Sequence, residues 1–353
     1  MFEELGFETL TAPQAAIWLG VLLGLGFGAL AQVTRFCLRR SLVGEPGERR
    51  SAAGVWTIAL AVAVIGTQAA VAMGWIGFGE HRFLDPNLPV LAIAIGGLAF
   101  GAGMVLTRGC VSRLTVLVAG GNLRALTVLL IFAISAHATL KGVLSGVRTG
   151  LGSVTLPLGE TTSLAALPGG ALLWGGLIAV AALAIALRSG ARPLQLALAA
   201  ALGLLVPLGW VGTGYVLYDD FDPIAMQSLS FTLPYADTLF WTVAATSIPA
   251  SFGVGLVGGT VAGALVLTVL RREFRWQSFE TPAQTGRYVL GALLMGFGGV
   301  LAGGCSVGAG LSGVPTLGLA AILALASIAA GALATHRMVD ARRVAATAAV
   351  PAE

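Results

Sequence analysis

The chain holds three cysteines, and each closes a similar run of small residues: GALAQVTRFC from Gly28 to Cys37, GAGMVLTRGC from Gly101 to Cys110, and GFGGVLAGGC from Gly296 to Cys305. The glycine precedes the cysteine by nine residues each time, and Gly24, Gly97 and Ala292 stand four residues earlier still. The last two runs share a second glycine at one offset, Gly103 and Gly298. A thiolate is a nucleophile and metal ligand, whereas a neutral S–H is a weak donor on a polarizable atom suited to soft, sulphur-bearing ligands. One buried cysteine in an apolar segment is by default a packing residue. Three in one register point instead to a shared ligand contact.

Disulfide and metal chemistry fit poorly. Three cysteines cannot all pair, so at least one thiol stays free or meets something else. Structural zinc takes four N or S ligands, and none of the three histidines has ligand spacing to a cysteine. No metal, cofactor or catalytic residue is expected.

The cysteines sit in glycine-rich breaks. GCSVGAGLSGV (304–314) is a poor helix interior, because glycine there costs about 1 kcal/mol relative to alanine. Such a break survives inside an apolar segment when buried in protein or lining a polar cavity, where its N–H groups can face an anion. The expected substrate contacts are Cys37, Cys110, Cys305, Gly109, Gly304, Ser306 and Gly308. Arg108, Arg113 and Arg124 surround the second motif and read either as topology markers or as gating and partner-docking residues. His137 and Lys141 lie four apart on one helix face, and Asn122 reads as a helix cap. The loop histidines His81 and His336 receive no role.

The elements that must position these residues are membrane helices. Of 353 residues, 57% are hydrophobic and only 10% charged, against about 25% charged in soluble domains. Apolar runs of about 20 residues recur, enough to cross a hydrocarbon core. Nine spans are expected: 16–34, 54–76, 88–107, 125–147, 168–187, 194–212, 239–270, 287–304 and 316–335. The seventh is overlong, and Pro249 with Gly253–Gly259 predicts a broken or re-entrant start. The fold class is an all-α polytopic membrane protein, a single domain over 1–353.

One set of loops collects arginines (39, 40, 49, 50, 108, 113, 124, 188, 192, 271, 272, 275, 287, 337, 342, 343). The other holds little beyond Arg82 and Arg148, with Asp219, Asp220, Asp222 and Asp237 crowding one loop. The positive-inside rule then puts the N-terminus outside and the C-terminus in the cytoplasm. Scattered basic residues without clustering exclude a nucleic-acid surface. In this orientation the Cys110 and Cys305 spans run in opposite directions, which predicts an inverted repeat of 16–150 against 195–335 with the substrate at its interface.

The stretches TRFCLRRSL (34–42), GLAFGAGMVLTRGCVSRLTVLVAGGNLRAL (97–126), REFRW (272–276) and GFGGVLAGGCSVGAGLSGV (296–314) resemble the YeeE/YedE family of sulphur transporters. Arg113 and the Arg39–Arg40 pair replace small or apolar residues common there. The resemblance implies a non-enzymatic permease of the bacterial inner membrane that imports thiosulphate or a related sulphur anion. It also implies that Cys37, Cys110 and Cys305 hand the anion along through S–H···S contacts. A cytosolic sulphur-carrier protein is a candidate partner besides the lipid bilayer. The alternative is a membrane-bound sulphurtransferase that passes sulphane sulphur as a persulphide to such a carrier.

Overall fold

The computed structural model describes residues 11–219 and 222–348, with side chains described to residue 341; Asp220 and the side chains of Arg342 and Arg343 lie outside the described residues. Helix α1 (Ala12–Thr34) is followed by a short α2 (Leu38–Val43) and by α3 (Pro46–Ala72). Next come α4 (Val90–Leu106), α5 (Val111–Ala119) and α6 (Leu123–Lys141). A short α7 (Ser145–Gly152) leads to α8 (Gly170–Leu187) and α9 (Pro193–Val211), which runs on as a π-helical turn to Val216. The remainder is α10 (Thr232–Ala244), α11 (Phe252–Leu270), α12 (Pro282–Leu301), a π-helical Ser306–Gly313 and α13 (Leu319–Ala348). Among the described residues nine segments are long and apolar enough to span a bilayer, as the composition predicts. The predicted break in the seventh span is the gap between α10 and α11. It divides two separate helices, the first of which starts earlier than expected, at Thr232.

All three cysteine breaks share one local geometry. Cys37 caps α2, Cys110 caps α5 and Cys305 caps the π-helical segment, each in extended backbone. Two residues before each cysteine the chain turns through the left-handed region, at Arg35 (φ 53°), Arg108 (φ 61°) and Gly303 (φ 74°). A Cβ added at Gly303 would meet nothing nearer than Phe83 Cε1 at 3.9 Å, so Gly303→Ala tests backbone strain alone. It is expected to cost about 1 kcal/mol, read as a lowered melting temperature in detergent.

The nine-residue register has a packing cause. A Cβ at Gly28 would collide with the Thr260 carbonyl of α11, at Gly101 with the Ile328 carbonyl of α13, and at Gly296 with the Phe132 carbonyl of α6. Each glycine therefore lets the cysteine-bearing helix touch a neighbour backbone to backbone, as small residues do in lipid where no hydrophobic force drives helices together. Contacts of Gly20, Gly24 and Gly28 step forward along α11 from Phe252 to Thr260, so α1 and α11 run parallel. Gly96 meets Ala302 and Gly298 while Gly103 meets Gly291 and Met295, so α4 and α12 cross antiparallel.

Loops cross-link at each end of the bundle. At one end the 271–281 loop pairs with the α5–α6 turn: Arg275 N donates to Gly120 O at 3.0 Å and Asn122 Nδ2 to Gln277 Oε1 at 2.9 Å, while Gln32 at the end of α1 donates to Glu273. At the other, a two-residue antiparallel ladder joins Asn87–Leu88 to Leu156–Pro157, and Leu319 N donates to Thr162 O at 3.0 Å.

Candidate functional site

Two of the three thiols meet. Cys37 and Cys110 lie within side-chain hydrogen-bonding reach of each other, and Cys110 Sγ stands 3.3 Å from Ser112 Oγ. Both are buried, as is Cys305. Helix α5 directs Arg113 back toward both thiols, and its buried Nη1 has no hydrogen-bond partner. Of the three arginines singled out from sequence, Arg113 alone has these neighbours. Arg108 is exposed at its left-handed turn, and Arg124 pairs with Glu280 at 3.6 Å. Asn122 caps α6 as expected, accepting from Ala125 N at 3.0 Å. His137 stacks on Phe240 at 4.8 Å, while Lys141 is exposed.

The glycines of the breaks have separate tasks. Thr107 Oγ1 donates to Gly103 O and Gly109 O, at 2.9 and 3.0 Å, and closes the turn before Cys110. A Cβ at Gly304 would come within 2.8 Å of Ala309 N, so glycine is required for the chain to fold back there. Gly308 N donates to Cys305 Sγ at 3.3 Å, so this N–H meets the chain's own thiol. Ser306 is fully enclosed.

Cys305 belongs to a second cluster. A cavity of about 670 Å³ is lined by Trp75, His81, Arg82, Trp210, Ser230, Gly308 and Ser312, among others. Arg82 feels Cys305 electrostatically and lies over the Phe83 ring at 5.1 Å. His81, assigned no role from sequence, packs edge-on against Trp210 at 5.2 Å, and its Nδ1 accepts from Phe83 N at 3.3 Å. Burial first, then the neighbouring Arg82, lowers its pKa to about 4. Because the folded value lies below the usual 6.5, the stability it confers is full above about pH 6.5 and is lost as pH falls toward 4. His81→Gln is expected to flatten the fall in melting temperature across that window.

A smaller pocket of about 270 Å³ lies between Arg82, Asp85, Arg148 and the Val300–Gly303 turn. Arg148 Nε is buried there without a hydrogen-bond partner. The two arginines that stood alone in the arginine-poor loops therefore converge on one place, beside the break that carries Cys305. No sequence proximity announces this. Among the described residues no cluster of three or more His, Cys, Asp or Glu is placed to hold a metal ion.

Between the clusters lies an aromatic column. Phe36, next to Cys37, meets Phe27 at 6.2 Å, and Phe27 meets Phe231 at 5.2 Å; all three are buried. Phe231 adjoins Ser230 of the cavity.

Residues 33–334, which include all three cysteines and both clusters, match the family described as sulphur transport. The chain belongs to the sulphur transport family. Two curated relatives are similar along nearly their whole length. The thiosulfate transporter TsuA of Spirochaeta thermophila is 27% identical over 341 residues, covering 87% of this chain and 94% of its own. The thiosulfate transporter TsuA of Escherichia coli is 27% identical over 324 residues, covering 83% and 86%. As a sulphur transport protein the chain is a helical membrane carrier, and its cysteine-centred breaks lie inside the matched region.

Proposed function

We propose that the chain is a permease importing thiosulphate or a closely related sulphur anion across the bacterial cytoplasmic membrane, with Cys37, Cys110 and Cys305 as successive contacts. The observation that carries this reading is the arrangement of the two clusters. A cavity with Arg82 at its wall ends beside Cys305, and the Cys37–Cys110 pair lies beyond the aromatic column with Arg113. The positive-inside rule makes the cavity side the outer one, with the N-terminus outside and the C-terminus in the cytoplasm. The 16–150 and 195–335 stretches form an inverted repeat in this reading, with the path at their interface.

The physics supports weak contacts. A divalent anion in the bilayer centre must find donors that replace water. Thiols and backbone N–H groups supply these without the strong ion pairs that would trap it, since conduction needs binding loose enough to release. Arg82 offsets the acidic outer loop, which otherwise repels anions within about 8 Å at physiological salt.

Uptake of sulphur-labelled thiosulphate by proteoliposomes tests the reading. Intact label inside supports it. Persulphide on the protein with no internal label supports the sulphurtransferase, which is favoured by one observation, the Cys37–Cys110 contact beside Arg113. In that case a cytosolic sulphur carrier docks on the arginine-rich face.

A further inference from the structure

We infer that Ser230 is a substrate-binding residue of the path, an oxyanion donor at a fourth break that carries no cysteine. The inference rests on the permease reading above. α1 packs on α11 and α9 on α3; α2 packs on α3 and α10 on α11; α2 touches α13 and α4, while α10 touches α6 and α12. Exchanging α1 with α9, α2 with α10, α3 with α11, α4 with α12 and α6 with α13 turns each of these pairs into another pair that occurs. Under that exchange Cys110 and Cys305 hold matching places, and α10 holds the place of α2.

Cys37 is the residue that caps α2. Phe231 holds the same place before α10, flanked by Ser230 and Thr232. The chain reaches this point through a buried extended stretch: Ser228 Oγ donates to Val206 O at 2.8 Å, and Leu229 O accepts from Ser312 Oγ at 2.7 Å. Ser228 and Ser312 are satisfied in this way, whereas Thr232 Oγ1, like Ser230 Oγ, is buried without a partner; of these two, Ser230 lines the cavity. Ser230 Oγ is buried and has no hydrogen-bond partner, which costs about 1–3 kcal/mol unless something else occupies it.

Its position says what that is. Ser230 lines the 670 Å³ cavity, and its Oγ stands 2.6 Å from where a Cβ of Gly308 would lie. The N–H of Gly308 meets Cys305 Sγ. Ser230 and Cys305 thus adjoin the same residue, as Cys37 and Cys110 adjoin each other. Glycine at 308 leaves this corner open; any side chain would fill it. Chemically the two members differ. An O–H donates strongly to an anionic oxygen, whereas a thiol suits soft sulphur. The outer station therefore selects anions that carry sulphur-bound oxygens, with Arg82 on the same wall supplying charge. Hydrosulphide, which has no oxygen, gains nothing from Ser230.

The test uses the full chain in proteoliposomes. Ser230→Ala is expected to raise the apparent KM for labelled thiosulphate about tenfold, equivalent to about 1.4 kcal/mol, with a smaller change in maximal rate and a melting temperature, without substrate, that is not lowered. Ser230→Thr, which keeps the hydroxyl, is expected to restore most of the affinity. A Ser230→Cys chain should react with a membrane-impermeant methanethiosulphonate faster than the parent, and thiosulphate should slow that reaction. A wild-type KM in Ser230→Ala, or labelling that thiosulphate does not slow, overturns the inference while leaving the permease reading intact. No uptake by the unaltered chain overturns the permease reading itself, and this inference with it.

Discussion

Cys110→Ala is expected to abolish measurable thiosulphate uptake while the protein still inserts and folds. The thiol is buried, meets Cys37, and stands 3.3 Å from Ser112 Oγ. Alanine therefore removes both a ligand contact and the partner of a second thiol. A hydrogen bond to a charged group contributes about 1.5–3 kcal/mol, so losing one direct contact slows uptake about 10- to 150-fold, and the disturbed Cys37 adds to that. Cys110→Ser keeps a donor in a slightly smaller side chain but loses the soft sulphur, and should fall between. Since the two thiols lie within interaction reach of each other, Cys37→Ala and the double replacement are expected to be non-additive in a double-mutant cycle, the pair acting as one station. Proteoliposome uptake beside a melting curve separates lost transport from lost fold. Normal uptake by Cys110→Ala would remove the relay.

The legible and illegible parts of this site differ for physical reasons. Span number follows from composition, because a bilayer demands apolar runs of fixed length, and the nine expected spans are found. The glycine–cysteine register is also visible, although its cause, three close helix crossings, needs the partner helices. Arg35 and Arg108 at left-handed φ are not legible, since only glycine advertises that conformation and, of the three turns before the cysteines, only the one at Gly303 has a glycine there. Trp210 of α9 and Arg82 and Ser230 of two loops lie far apart in sequence and meet only in space. One signal was available: Arg82 and Arg148 were the exceptions to an otherwise clean charge asymmetry. A cation that violates the positive-inside pattern needs a local reason, and here both arginines line one pocket. A loop position alone gives His81 no role in the sequence, whereas the loop packs His81 against Phe78 and Trp210.

Adjacent glycines of α11 should respond in opposite ways. A Cβ at Gly259 would collide with the Val21 carbonyl of α1, and those at Gly255 and Gly263 with the carbonyls of Ile17 and Leu25. Backbone cannot step aside as a flexible side chain can, so Gly259→Ala must separate α1 from α11 along their whole parallel contact. Overpacking typically costs 1–3 kcal/mol, and here the obstruction is a carbonyl repeated along the seam, which favours the upper end, about 3 kcal/mol. Gly258 differs: nothing lies within 4 Å of its added Cβ. Gly258→Ala should be neutral or stabilising by up to about 1 kcal/mol, the usual advantage of alanine in a helix. The seam also reaches the site, since α1 ends at the turn that sets Cys37 against Cys110. Gly259→Ala is therefore expected to lower both melting temperature and uptake, and to change how readily Cys37 and Cys110 react with a small thiol reagent. Equal behaviour of the two variants would mean that the seam is not what holds Cys37 in place.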